Sequence, residues 1–307
     1  AGLLKDIQLV LPGFSADGHG FLPAATQSGA PAGVVQRDRA ASWSALPGNV
    51  AVVAVDDTRA ALSKAAAWFE GYPSREMTVI GITGTDGKTT TGHLVTSVLE
   101  ASGARVGRLG TVDTYLPGES GHVSGRMTTP EAPEVQRLLR RMADAGCDFA
   151  VVESTSHGLA LHRLHDVQYD IAVLTNITGD HLDFHKTFEA YREAKGMLFA
   201  ALDRTADKGI EKVAIANADD PSANFMLTRS TKARTMQYGL EARDADVLAR
   251  NVTLRADGTD FRLVTRWGMA EARIRLPALF NVSNALAAAS AGLAAGLQLQ
   301  QGVRGVG

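Results

Sequence analysis

The stretch from Met77 to Thr91, MTVIGITGTDGKTTT, restricts the fold more than any other part of the chain. Its apolar run, Thr78 to Ile82, reads as a buried strand that empties into a glycine-bearing turn followed by Lys88, Thr89, Thr90 and Thr91. Gly84 and Gly87 let backbone N–H groups of the turn, including those of Thr85 and Asp86, approach an anion closely. Lys88 can then sit on β/γ-phosphates and Thr89 can offer its hydroxyl to Mg2+, while a helix starting there points its positive end at the same phosphates. The strict G-x4-G-K-[ST] pattern is not met, because five residues rather than four separate Gly81 from Gly87. The plain alternative is a glycine turn with a surface lysine.

The rest of the composition fits a chain that binds phosphate locally. With 307 residues, 45% of them hydrophobic, two domains can each bury a core. Lys and Arg (31) nearly balance Asp and Glu (33), which gives no bulk field for nucleic acid or an acidic membrane surface. Cys147, the single cysteine, rules out an internal disulfide and fits a reducing compartment. Ala285 to Leu297 is shorter than the roughly 20 residues a membrane span needs. No signal-peptide order is present at the start. The expectation is a cytoplasmic protein without membrane insertion or nucleic-acid partner; oligomeric state is not set by the pattern.

Before Gly71 the chain reads as a small α/β unit. Strands are expected at Ile7 to Leu11, Gly33 to Gln36 and Val50 to Val55, with helices at Phe21 to Ser28 and Asp56 to Phe69. Gly71, Tyr72, Pro73 and Ser74 break the pattern, so the domains are placed at 1–74 and 75–307. From Met77 onward strands and helices alternate as in a mostly parallel sheet with flanking helices. Helices are expected at Thr90 to Ser102, Pro130 to Ala145, Phe188 to Leu202 and Asn281 to Gly296. Strands are expected at Arg105 to Leu109, Phe149 to Val152, Ile171 to Leu174 and Val213 to Ala216. After Arg234 the periodicity changes. Val247 to Leu254 and Phe261 to Thr265 flank an Asp257-Gly258 turn as a small antiparallel subsheet, with Arg273 to Leu276 as a third strand. The end, GVRGVG, reads as a linker.

Several groups follow the expected strands, where open α/β sheets place ligands. Glu153 is one, and Asp180, His181 and Asp183 form another; beside the phosphate turn, Glu153 and His181 are credible Mg2+ ligands. Thr128-Thr129-Pro130 and Ser154-Thr155-Ser156-His157 supply hydroxyls that could cap helices or hold a second substrate. Arg163 suits a carboxylate or phosphate. Lys195 alone reads as a solvated lysine on an amphipathic helix.

These residues resemble the Mur ligases. GTDGKTTT is similar to their GTxGKTT phosphate loop, whose spacing accounts for the failed strict pattern. TTPE, ESTSHGLALHR, TNITGDHLDFHKTFEAYREAKGMLF, NADD and FNVSNALAA resemble, in order, the MurE branch, which adds the third peptide residue of peptidoglycan to UDP-MurNAc-L-Ala-D-Glu. LPGFSADGHGF is similar to that branch's uridine-binding loop.

The resemblance implies a P-loop NTPase-like central fold and an ADP-forming ligase that uses ATP, two Mg2+, the UDP-linked dipeptide and an amino acid. It implies that Lys88 and Thr89 serve ATP phosphate and Mg2+, and that Glu153 and His181 are metal ligands. Lys195 then becomes a carbamylated lysine holding a second Mg2+, against its plain reading. Asn217 and Asn284 fall in segments at the nucleoside end of ATP. Thr128, Thr129, Thr155 and Arg163 match residues that hold the muramoyl-dipeptide, and Phe14, Ser15 and Ala16 match the uracil side. Three positions depart: Asp86 stands where Asn is usual, ESTSHG replaces EVSSHG, and Leu161 stands where Gln is common. The chain is expected to start after the family's first strand and to lack the C-terminal amino-acid-selecting domain. Two other readings stay open, a Mur-like ligase of folylpolyglutamate or cyanophycin type and a nucleotide-binding module without catalysis.

Overall fold

Three short strands open the computed structural model, which describes residues 7–13, 16–42, 50–110, 114–118 and 129–306. Strands β1 (Ile7–Leu9), β2 (Ala32–Gln36) and β3 (Ala51–Val55) pair in parallel in the order β1-β2-β3, with helix α1 (Leu22–Gln27) between the first two. Among the described residues the core of this sheet is Val10, Leu22 and Val35. Helix α2 (Thr58–Phe69) follows, capped by the Asp57 carboxylate accepting from the Ala60 N–H at 2.9 Å. Tyr72 in the left-handed region and a short 3-10 turn, Pro73–Arg75, follow the helix.

All other strands belong to one sheet. In chain order its elements are β4 (Thr78–Thr83), α3 (Lys88–Glu100), β5 (Val106–Leu109), β6 (Thr114–Tyr115), α4 (Ala132–Asp144), β7 (Phe149–Glu153), α5 (Ser156–Ala160), β8 (Ile171–Leu174), α6 (Leu182–His185), α7 (Phe188–Ala201), β9 (Val213–Asn217), α8 (Ala223–Leu227), β10 (Arg234–Gly239), β11 (Val247–Arg255), β12 (Gly258–Thr265), β13 (Gly268–Ile274), α9 (Leu279–Ala294) and α10 (Leu299–Arg304). The strand order is β13-β12-β11-β10-β9-β8-β4-β7-β5-β6. It is parallel from β11 to β5, with β6, β12 and β13 antiparallel to their neighbours.

The central strands are buried on both faces, as a parallel sheet covered by helices requires. Val79 and Val152 pack on one side with α4 and α7; Ile80, Ile82 and Val151 pack on the other with α3 and α9. Gly81 is needed for the approach of α7, since a Cβ there would lie 2.5 Å from Leu198 Cδ1. The alanine-rich α9 similarly lets α3 come close: a Cβ on Gly292 would lie 2.7 Å from Val98 Cγ1. The chain leaves β4 toward β5 and later returns to β8 on the opposite side of β4, so the direction of winding reverses at β4. A crevice opens beyond the strand ends at such a reversal.

Three expectations need correction. The third ribbon strand is Gly268–Ile274 rather than Arg273 to Leu276, because a tight turn at Arg266 and Trp267 pairs Thr265 with Gly268. The ribbon is continuous with the main sheet through β10, a parallel strand from Arg234 that its mixed polarity concealed. The tail is not a free linker: α10 carries a Gln298/Gln301 capping box, and Gly305 lies against α3, where a Cβ would fall 2.3 Å from Val98 Cα.

Candidate functional site

The strand ends β4, β7, β8 and β9 deliver the candidate site. Gly87, in the left-handed region at φ 80°, starts α3 without a side-chain cap, so the first amides of the helix face the turn. Both loop glycines are demanded by crowding. A Cβ on Gly84 (φ 154°) would meet Thr175 Oγ1 at 1.8 Å, and one on Gly87 would meet Asn284 Oδ1 at 2.4 Å. The loop is clamped from the end of β8. The Thr85 N–H donates to the Asn176 carbonyl (2.8 Å) and the Asp86 N–H to Asn176 Oδ1 (3.0 Å), while the Asp86 carbonyl accepts from Thr175 Oγ1 (2.6 Å) and Asn176 Nδ2 (3.1 Å). Tyr191 of α7 adds a hydroxyl contact to Thr85 Oγ1 at 3.0 Å.

Two lysines converge on this loop. Lys88 donates to the carbonyls of Gly84 (3.0 Å) and Thr85 (2.7 Å), and Lys195 donates to the same Gly84 carbonyl at 2.6 Å. Lys195 is 1% exposed and lies 4.4 Å from the centre of the Tyr191 ring. Burial, then repulsion from Lys88, pulls its amine down to about 7. Burial also lowers Lys88, against the pull of Glu153, Asp86 and Asp180. Lys195 is therefore not the solvated helix lysine of its plain sequence reading.

Register places Glu153 opposite Ile82, beside the start of the loop, and its Oε2 accepts from Thr89 Oγ1 at 3.2 Å. A buried carboxylate and a hydroxyl next to a phosphate cradle form the hard oxygen set that suits Mg2+, so these residues fit a metal–nucleotide complex. Among the described residues no three His, Cys, Asp or Glu side chains come together as a metal cage. His181 stands at φ 54° before α6, half-exposed, 3.4 Å from Asp180 and edge-on to His157 with ring centres 4.9 Å apart.

A cavity of about 610 Å3 runs from the loop residues Asp86, Gly87 and Thr90 past Asn176 and Thr178 to Asn217, Ser283 and Asn284, with Phe280 on its rim. Asn217 Nδ2 donates to the Thr175 carbonyl at 3.0 Å, and Asn284 Oδ1 accepts from Thr91 Oγ1 at 3.3 Å. Both asparagines are thus fixed facing one space.

On the other side of β7, Thr129 and Thr155 are joined hydroxyl to hydroxyl at 2.8 Å. Arg163 donates to the Thr129 carbonyl (3.0 Å) and pairs with Glu131 (2.7 Å). Glu131 also faces Arg59 of α2 at 3.9 Å, and Arg59 donates to the Pro12 carbonyl at 2.9 Å, which ties the first sheet to this region. Leu161 ends α5. Ala16 is exposed in a turn where its carbonyl accepts from the Gly13 N–H at 3.0 Å. Phe14, Ser15 and Thr128 lie outside the described residues.

Sequence reasoning passed over Thr175, Asn176 and Tyr191 as loop supports and Phe280 as a rim residue. Position immediately after β8 was the available signal for the first two. Tyr191 and Phe280 fall inside the segments that resemble the family, but nothing in their own surroundings assigns them a role at the site.

A family description, the Mur ligase middle domain, matches residues 82–292. A UDP-N-acetylmuramyl-tripeptide synthetase of Roseiflexus sp. (strain RS-1) is 45% identical over 318 residues, covering 98% of this chain and 61% of the relative. A UDP-N-acetylmuramoyl-L-alanyl-D-glutamate–2,6-diaminopimelate ligase of Bacillus licheniformis is 38% identical, covering 96% and 60%. A solved structure of a UDP-N-acetylmuramoyl-L-alanyl-D-glutamate–2,6-diaminopimelate ligase superposes with a TM-score of 0.72 at 28% identity, over 90% of this chain and 59% of its own. The chain spans about 60% of the length of the curated relatives it matches. Among the described residues no helix is long and apolar enough to cross a membrane.

Proposed function

The chain belongs to the Mur ligase family, and on that premise we propose that it is the nucleotide- and UDP-substrate-binding part of an enzyme that adds an amino acid to UDP-MurNAc-L-Ala-D-Glu with cleavage of ATP to ADP. The observation that carries this reading is the convergence of Lys88 and the fully buried Lys195 on the Gly84 carbonyl, beside the Thr89–Glu153 pair. A cation buried without a carboxylate partner is costly. Its retention at the turn is best explained by an anionic ligand that belongs there.

In this reading Lys88 leaves the Gly84 and Thr85 carbonyls and turns onto the β/γ-phosphates, while the uncapped amides of α3 hold the same oxygens. Thr89 and Glu153 would hold one Mg2+, and His181 with a carbamylated Lys195 would hold a second. Bound Mg2+ supplies charge neutralisation at the transferring phosphoryl group. With an amine near 7, Lys195 has a neutral fraction whose lone pair can take up CO2, releasing a proton and leaving a carbamate oxygen donor. Asn217, Asn284 and Phe280 receive the nucleoside, and Thr129, Thr155 and Arg163 orient the D-glutamyl end of the dipeptide. Phe14, Ser15 and Ala16 are assigned to the uracil side on the family resemblance alone. The dipeptide carboxylate oxygen attacks the γ-phosphorus, ADP leaves, and the amine then displaces phosphate from the acyl carbon.

The experiment is phosphate release by the intact protein, measured with UDP-MurNAc-dipeptide and a panel of amines that includes diaminopimelate and lysine. Release that requires both ATP and the dipeptide, and rises with one amine, supports the assignment. Equal or better turnover with a folate acceptor would overturn it.

A further inference from the structure

The cavity beside the phosphate loop carries a carboxylate on its lining, with Lys88 and Lys195 within electrostatic reach of it. Of the nine residues lining it, Asp86 alone is charged; the others are glycine, hydroxyl, amide or aromatic residues. Lys88 and Lys195 point instead at the loop carbonyls. The Asp86 backbone is pinned on both sides by Thr175 and Asn176, so the residue cannot withdraw by a shift of the loop. Its side chain is exposed, and among the described residues its carboxylate takes part in no hydrogen bond or ion pair. Its charge favours the cationic forms of Lys88 and Lys195 across the loop, yet no direct contact holds the carboxylate, and it lines the cavity where a polyphosphate would enter.

We infer that Asp86 makes nucleotide binding conditional on a divalent metal: its carboxylate repels metal-free nucleoside diphosphate or triphosphate and admits the metal complex. This rests on the nucleotide reading of the cavity. The reason is charge. Metal-free ADP carries about three negative charges and its magnesium complex about one, so a carboxylate at a given distance opposes the free form roughly three times as strongly. Screening by salt weakens this repulsion at the exposed cavity mouth.

Calorimetric titration of ADP into the protein, with Mg2+ or with a chelator, tests the inference on the wild type, Asp86→Asn and Asp86→Glu. In the wild type, metal-free ADP binds at least about tenfold more weakly than the magnesium complex. Asp86→Asn shrinks that ratio about tenfold by tightening the metal-free form, with the affinity for the magnesium complex changed less than about threefold, and Asp86→Glu keeps the wild-type ratio. The difference fades as salt is raised. An unchanged ratio in Asp86→Asn overturns the inference while leaving the nucleotide site in place. So does a loss of affinity for the magnesium complex, which makes Asp86 a direct ligand instead. A wild-type protein that binds no ADP in either condition removes the nucleotide reading and the inference together.

Discussion

Replacing Lys195 with methionine separates the cost of this lysine to the fold from its use to the chemistry. The side chain is 1% exposed, its amine donates to the Gly84 carbonyl at 2.6 Å, and burial together with Lys88 lowers it from 10.5 to about 7. Between those two values the unfolded chain holds a proton that the folded chain has lost, so stability rises with pH across that window. Below about pH 7 both states are protonated and the folded state bears the whole cost. At about 1.36 kcal/mol per pH unit, the gap amounts to about 5 kcal/mol as an upper bound. Methionine keeps the length and apolar volume and removes the charge; the lost hydrogen bond to Gly84 returns about 1 kcal/mol of destabilisation. Lys195→Met is therefore expected to be more stable than the wild type by about 2–4 kcal/mol near pH 6, with the advantage gone near pH 10. Urea unfolding in CO2-depleted buffer at several pH values measures this. A variant less stable than the wild type near pH 6, or a difference that does not narrow with pH, would refute the reasoning. The same variant should lack turnover, as should Lys195→Ala, which bicarbonate would partly restore by supplying an oxyanion in the vacated space.

Gly84→Ala should destabilise the protein by about 2–4 kcal/mol in thermal or urea unfolding, since its Cβ would strike Thr175 Oγ1 and its φ of 154° suits glycine. Thr89→Val keeps the shape of α3 but removes the hydroxyl beside Glu153. It should weaken Mg2+ binding in the presence of ADP by roughly 10–100-fold in calorimetry, with little change in melting temperature. Asp170→Asn should cost about 3–5 kcal/mol in urea unfolding, because the fully buried carboxylate accepts from Lys208 (2.6 Å), Lys212 (2.5 Å) and the Val79 N–H (2.8 Å), and its loss leaves two ammonium groups without their counter-charge.

What was legible in the sequence is what local pattern controls. The β4–loop–α3 unit could be read because an apolar strand, two glycines and a Lys-Thr pair sit within a few residues. Glu153, Asn217 and the TNITG segment could be flagged because each follows a strand. Lys195 could not be read from its surroundings. Its burial results from α7 packing across β4 at Gly81, a contact between segments far apart in sequence, and only the family resemblance pointed to it. The strand from Arg234 was missed because its neighbours, rather than its own alternation, decide that it pairs with β9. The tail looked like a linker because the contact that fixes Gly305 is made by Val98, which the local sequence does not contain. Asp86 was anomalous at once, yet its meaning depended on seeing that no other charge lines the cavity.

The most direct test of the proposed chemistry follows an oxygen atom. UDP-MurNAc-dipeptide labelled with 18O in the D-glutamyl carboxylate acted on, incubated with ATP, Mg2+ and the amine, should pass one labelled oxygen to each phosphate released by the intact protein. Mass spectrometry of that phosphate reads the result. Label in the phosphate at one atom per turnover is the outcome expected if the carboxylate attacks the γ-phosphorus held by Lys88, Thr89 and the loop amides. Unlabelled phosphate formed during productive turnover would contradict it.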